Sequence, residues 1–321
     1  MSSDKDKYIA FADARDDLRI YNKPFWLDAV CGAEHWDAVV IEEDHEIVAA
    51  VPYHRTKDRR GISCILQPQL TQCFEIWTKP VTGEKHEKYL ACQFRWIGKI
   101  AEKLLDLGAE YYDVNFSSEL DNWEPFYWEG FHQQTRYSFV IEADRIQDAW
   151  SGMNRALRTG IRRAARNAVV EDFRDLDVFY QFQSETFTRQ GMKNPFTREL
   201  FERLYYACSN HNAARMLAVK EGSEICNIGF YVFDKRYVYE LLLGADPLKR
   251  KRNYKSLMTY QMIRFAGETG RGFDFEGSMV RSIAEHNRRF GAEMVPYHHI
   301  WKVNAKNRVK RTALEWIHRR Q

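Results

Sequence analysis

The chain has no uninterrupted apolar run near the roughly 18 residues that a bilayer-crossing helix needs. Its charged start, Met1 to Lys7, lacks the apolar core of a secretory leader. Stable membrane insertion is therefore not expected, and a soluble, cytoplasmic protein is. Cysteine is sparse. The six are Cys31, Cys64, Cys73, Cys92, Cys208 and Cys226, with no Cys-x-x-Cys or zinc-ribbon spacing, so they read as small core residues without chemistry. His298-His299 has no evident ligand partners, and no metal is expected. Also missing are a Gly-x-Ser-x-Gly elbow, a His-Glu-x-x-His pair and a Walker sequence. Gly270-x-Gly272 follows a helical pattern and precedes a strand, the reverse of a dinucleotide fingerprint.

What remains is ordinary globular material: 321 residues, 45% hydrophobic and 29% charged, enough for two domains with separate cores. The net charge of +3 hides an asymmetry. Residues 1–50 carry twelve acids and five bases, whereas residues 302–321 carry seven bases and one acid. A basic end suits an anionic partner, or is a solvated amphipathic tail.

The chain also repeats itself. Leu104-Leu105-Asp106-Leu107-Gly108-Ala109-Glu110-Tyr111-Tyr112-Asp113-Val114 is echoed by Phe265-Ala266-Gly267-Glu268-Thr269-Gly270-Arg271-Gly272-Phe273-Asp274-Phe275, an offset of 274 − 113 = 161 residues. Ile97, Ala101, Leu104 and Leu105 fall on Met258, Met262, Phe265 and Ala266, one apolar helix face written twice. Farther upstream, Glu46-Ile47-Val48 meets Glu224-Ile225-Cys226. A repeat too long for a solenoid unit predicts two copies of one domain, residues 1–146 and 147–321.

Each copy alternates helical and strand patterns. In the first, strands over Trp36–Ile41, Glu46–Pro52 and Ile62–Leu66 precede an amphipathic helix Lys85–Leu107 and a strand Tyr111–Phe116, with Thr135–Ile141 closing the copy. The second is expected to open on one helix, Gln147–Asn167, bearing an arginine stripe of Arg155, Arg158, Arg162 and Arg166. Two further helices lead to three strands, Arg215–Lys220, Glu224–Phe233 and Arg236–Gly244. A basic loop, a helix Asn253–Glu268, a strand Phe273–Phe275, a helix Met279–Phe290 and a closing strand Tyr297–Val303 follow. This order predicts a mixed α/β (α+β) sheet and not a doubly wound parallel one.

Three groups of residues carry candidate chemistry. Glu240, alone in the apolar strand Tyr237-Val238-Tyr239-Glu240-Leu241-Leu242-Leu243, is either a base whose carboxyl affinity for protons is raised or a paired structural carboxylate. Asp274 and Glu276 alternate with Phe273 and Phe275 and are expected on one strand face, followed by Ser278; Asp274 equally suits a loop-holding role. Arg189, beside Gly191 at a helix end, suits a phosphate or carboxylate, or complements the helix dipole.

The element order, together with Arg158-Thr159-Gly160-Ile161-Arg162-Arg163-Ala164-Ala165-Arg166, Glu185-Thr186-Phe187-Thr188-Arg189-Gln190-Gly191 and Phe273-Asp274-Phe275-Glu276-Gly277-Ser278, resembles the GNAT acyltransferase superfamily. Its duplicated form is similar to the Fem-type aminoacyltransferases. The resemblance implies two tandem GNAT-like domains, the first non-catalytic or acceptor-binding, the second an N-acyltransferase with a cleft between the copies for the acceptor. It implies Glu240, Asp274 and Glu276 as catalytic candidates and Arg189, Ser278 and Arg162 as substrate-binding ones. Acetyltransferases of this type hold coenzyme A on a Gly-rich turn at a helix start, because free backbone N–H groups there bind phosphate. Here that stretch reads Asp246-Pro247-Leu248-Lys249-Arg250-Lys251-Arg252-Asn253-Tyr254-Lys255, without the glycine spacing. Lys249, Arg250, Lys251, Arg252, Asn253 and Lys255 are accordingly the expected donor-binding residues. The resemblance implies acyl-CoA as donor to a small-molecule or glycan-linked amine; its alternatives are aminoacyl-tRNA, transferring onto a cell-envelope precursor, and a non-catalytic binding protein.

Overall fold

The computed structural model describes residues 3–83, 85–189, 191–246, 248, 252–277 and 279–305. The helices are α1 (Asp4–Asp13), α2 (Pro24–Cys31), α3 (His86–Asp106), α4 (Glu124–Trp128), α5 (Ala149–Gly152), α6 (Arg155–Ala164), α7 (Leu176–Thr188), α8 (Arg198–Asn210), α9 (Tyr254–Glu268) and α10 (Arg281–Asn287). The strands are β1 (Trp36–Glu43), β2 (Glu46–Lys57), β3 (Ser63–Leu66), β4 (Trp77–Thr78), β5 (Tyr111–Phe116) and β6 (His132–Ile141). They continue as β7 (Val169–Asp172), β8 (Ala214–Glu221), β9 (Glu224–Phe233), β10 (Tyr237–Ala245), β11 (Gly272–Asp274) and β12 (Glu293–Val303). Two compact units result, Met1–Arg136 with Pro296–Gln321, and Tyr137–Val295.

Both units are built on one plan. In the first, the antiparallel strands β1, β2 and β3 are followed by α3 and by β5, which lies parallel to β3 through Cys64↔Tyr111 and Leu66↔Asp113. In the second, β8, β9 and β10 are followed by α9 and by β11, parallel to β10 through Tyr237↔Gly272 and Tyr239↔Asp274. Asp113 and Asp274 thus occupy the same place in the plan. The helix between parallel strands covers one sheet face: on α3, Trp96, Ile97, Ile100, Ala101 and Leu104 are buried; on α9, Met258, Met262, Ile263 and Ala266.

The closing strands are assigned differently from the sequence expectation. β12 pairs with β5 through Ile300↔Val114 and Val303↔Tyr111, while β6 pairs with β11 through Ile141↔Phe273 and Val140↔Asp274. Thr135–Ile141 therefore does not close the first copy, nor Tyr297–Val303 the second. Either strand offers apolar side chains to an antiparallel partner, so local pattern does not specify which one it joins.

Three local features have direct causes. The single helix expected over Gln147–Asn167 is broken: Met153 is extended and buried, and Asn154 starts α6 by accepting hydrogen bonds from the N–H groups of Ala156 (3.0 Å) and Leu157 (3.3 Å). The charged opening is helical because Ser3 and Asp6 form a capping box. The strand expected through Phe275 stops at Asp274, and Glu276 takes a left-handed conformation (φ 63°), so Asp274 and Glu276 do not share a strand face.

Candidate active site

β10 and β11 are paired only as far as Tyr239 and Asp274. Beyond that point β10 continues to Ala245, whereas the chain leaves β11 and turns at Glu276-Gly277. Two parallel strands that part leave backbone groups unladdered at the fork. A bulge on the other edge of β10 adds to this: Tyr239↔Val232 is followed by Leu242↔Phe230, three residues of β10 against two of β9.

Glu240 lies in the bulge, 6% exposed. The Thr259 hydroxyl donates to its Oε2 (2.6 Å), and Lys255 Nζ is 3.6 Å from its Oε1. Lys255 and Thr259 are four apart on α9, hence on one helix face. Fully buried Tyr231 of β9 lies close to the same carboxylate, and burial first and the Glu240 charge second raise its phenol's proton affinity. Burial raises the proton affinity of Glu240, and the Lys255 charge and the Thr259 hydrogen bond pull it partly back, leaving it above the ordinary carboxylate range. Raised proton affinity makes a carboxylate a stronger base than an ordinary one once it is ionised.

Asp274 is 3% exposed and holds the turn beside it. Its Oδ1 accepts from the Ser138 hydroxyl (2.5 Å) and from the N–H of Glu276 (2.8 Å). At Gly277 (φ 60°) a Cβ would stand 2.3 Å from the Tyr137 carbonyl oxygen, so only glycine lets the turn seat against β6. Among the described residues the first unit has no comparable fork. Past Leu66 the chain stays beside β5: Gln67 N–H donates to Asp113 O, Phe74 N–H to Asn115 O and Ser117 N–H to Phe74 O, each at 2.8 Å. Fully buried Phe74 fills the space, and Asp113 is bound by the Tyr111 hydroxyl (2.6 Å) and His299 Nε2 (2.8 Å).

Of the donor-binding candidates, Arg252, Asn253 and Lys255 meet the start of α9. Arg163 and Asn167, from and just beyond α6, line a cavity of about 520 Å³ with Glu221, Arg252, Asn253 and Tyr254. Asn253 caps α9 in a left-handed conformation, and its side chain packs so closely on Gly160 that a Cβ there would lie 2.7 Å from Asn253 Cγ. Arg252 is paired with Glu221. Lys249, Arg250, Lys251 and Ser278 lie outside the described residues. Arg189 ties α7 to the end of β10, donating to Thr186 Oγ1 and Ala245 O (each 3.0 Å), and Arg162 lies exposed over the Trp150 ring.

The bulge, Thr259, Tyr231 and His286 were not identifiable as parts of the site. Thr259 had one faint signal, as a polar residue on the apolar face of α9. His286 had none; its ring packs on Phe290, and burial with the nearby charges of Lys255 and Arg289 pushes its pKa down to about 3. Among the described residues, no group of three or more His, Cys, Asp or Glu could hold a metal ion, and no helix is long and apolar enough to cross a membrane.

Both the sequence of the second unit and the fold of the chain have counterparts in known proteins. Residues 151–288 match the family model described as acetyltransferase (GNAT) domain. The chain shares its fold with solved structures that include a tandem GNAT protein. It is similar to the structure of FemX (TM-score 0.66, 13% identity, covering 93% of this chain and 96% of that one). It is also similar to a tandem GNAT protein from the clavulanic acid biosynthesis pathway (0.54, 9%, 96% and 98%). A third similar structure is the C-terminal domain of a putative lysylphosphatidylglycerol synthetase from Agrobacterium fabrum (0.57, 10%, 97% and 96%). No curated protein matches the chain in sequence.

Proposed function

We propose that the second unit is a cytoplasmic N-acyltransferase that moves an acyl group from acyl-CoA to an amine. The observation that carries this reading is Glu240, a buried carboxylate with raised proton affinity, just beyond the point where β10 and β11 part. In this account Arg252, Asn253 and Lys255, with Lys249, Arg250 and Lys251, receive the donor phosphates at the α9 N-terminus, where the helix dipole favours anions. The acyl thioester enters the fork. Glu240 takes the proton of the attacking ammonium, so that a lone pair on nitrogen is free to form the new C–N bond. Backbone N–H groups near the bulge stabilise the oxyanion, the C–S bond breaks, and the leaving thiolate takes the second proton that nitrogen sheds as the amide forms. Asp274 acts through the turn it holds, placing Glu276 at the acceptor's side of the fork.

One observation favours a second donor, aminoacyl-tRNA. Arg155, Arg163 and Arg166 have no ion-pair partner among the described residues, and Arg163 lines the cavity at α9. An unneutralised arginine face suits a polyphosphate larger than coenzyme A.

A thermal-shift screen of acetyl-, succinyl- and longer acyl-CoA beside charged and uncharged tRNA tests both. A donor at 100 times its Kd stabilises the native state by about 2.7 kcal/mol. A shift with acyl-CoA supports the first reading, and a shift confined to charged tRNA replaces it with the second. No shift with any donor leaves a non-catalytic binding protein.

A further inference from the structure

Lys255 stands between two anionic sites. It is the second residue of α9, directly after the cavity residues Arg252, Asn253 and Tyr254, and its partly exposed side chain reaches inward to Glu240 Oε1. Among the described residues it is the only cation acting on that carboxylate. The other groups facing Glu240 are the hydroxyls of Thr259 on α9 and Tyr231 on β9. His286 of α10, close to Lys255, is half-buried with its pKa pushed down and supplies no replacement charge.

We propose that Lys255 exchanges partners during the reaction, neutralising Glu240 in the free protein and turning to a donor phosphate when the donor binds. This rests on the acyl-transfer reading above. A carboxylate paired with an ammonium is a poor base, because accepting a proton forfeits the ion pair. Once Lys255 has turned away, Glu240 keeps the Thr259 hydrogen bond but has no countercharge, and a buried lone carboxylate gains strongly by taking a proton. Donor binding thereby creates the base at the moment an acyl group is present to be attacked. In the balance of charge, the ammonium of Lys255 moves to the phosphate and one solvent proton moves to Glu240 in the binary complex; the acceptor's ammonium, binding beside the carboxylate as a new countercharge, returns that proton to solvent, and Glu240 then takes the acceptor's own proton.

Isothermal titration with coenzyme A, and separately with uncharged tRNA, in two buffers of different ionisation enthalpy counts protons taken up on binding. The wild type is expected to take up a proton, approaching about one per donor. Glu240→Gln should take up none and bind about tenfold more tightly, since Lys255 no longer leaves a carboxylate behind. Lys255→Met, at a partly exposed position that tolerates the change, should bind about tenfold more weakly, also without uptake. Wild-type binding without proton uptake overturns the exchange and leaves the donor site standing. Unchanged affinity in Glu240→Gln, or uptake persisting in Lys255→Met, does the same. Failure of the wild type to bind either ligand overturns the exchange and the acyl-transfer reading together.

Discussion

If Glu240 is the base, its ionisation must be visible twice, in rate and in stability, and with opposite signs. Its proton affinity in the fold is raised, mainly by burial, above the roughly 4.3 of an unfolded glutamate. A raised carboxyl favours the folded state when protonated. Its contribution is therefore full below the unfolded value and is lost as pH rises through the folded one. Across that window the loss is at most about 1.4 kcal/mol per pH unit, the value of one proton bound in the native state and released in the unfolded. Over the same window turnover should rise, because only the ionised carboxylate can accept a proton. The assay is urea unfolding at a series of pH values for wild type and Glu240→Gln, with the pH–rate profile measured in parallel. The stability difference between the two should fall with pH along the curve on which wild-type kcat/KM, which reports the free enzyme, climbs. Glu240→Gln should lack the acidic limb and lose about 10²–10⁴-fold in kcat, with donor binding retained. A rate limb with no matching change in the stability difference would assign it to another group. Normal turnover in a destabilised variant would make Glu240 a structural partner of Lys255.

Two other substitutions test the surroundings. Gly277→Ala puts a Cβ against the Tyr137 carbonyl at a left-handed position, and should cost about 1–3 kcal/mol by urea unfolding and lower kcat more than donor affinity; a neutral effect would show that the Glu276 turn is not fixed by its contact with β6. His286, with a pKa pushed down to about 3, contributes stability that is present above about 6.5 and lost as pH falls toward the folded value; His286→Gln should therefore unfold less steeply with acid between those limits, and an unchanged acid limb would mean the imidazole is solvated.

The repeat was legible because the pattern of helix, glycine stop and short aspartate strand is local. Asp113 on β5 and Asp274 on β11 follow from it directly. Which closing strand joins which copy was not, since β6 and β12 carry interchangeable apolar alternation and the choice is made by pairing across distant parts of the chain. Glu240 drew notice as the one charge in an apolar run, but its environment is made by Thr259 and Lys255, 19 and 15 residues away on a helix whose rotation sequence does not specify. The bulge that turns Glu240 toward that helix depends on the register of β9, and no residue type marks it. Glu276 illustrates the opposite failure. Alternation suggested a strand, and Gly277 converted it into a turn held by Asp274.

The most direct test of acyl transfer is release of free coenzyme A thiol from acetyl-CoA, with and without a panel of primary amines, by wild type and Glu240→Gln. Amine-dependent thiol release by the wild type, reduced about 10²–10⁴-fold in the variant while both bind the donor, is the predicted result. Donor binding by the wild type with no thiol release on any amine, or equal release by the two proteins, would contradict it.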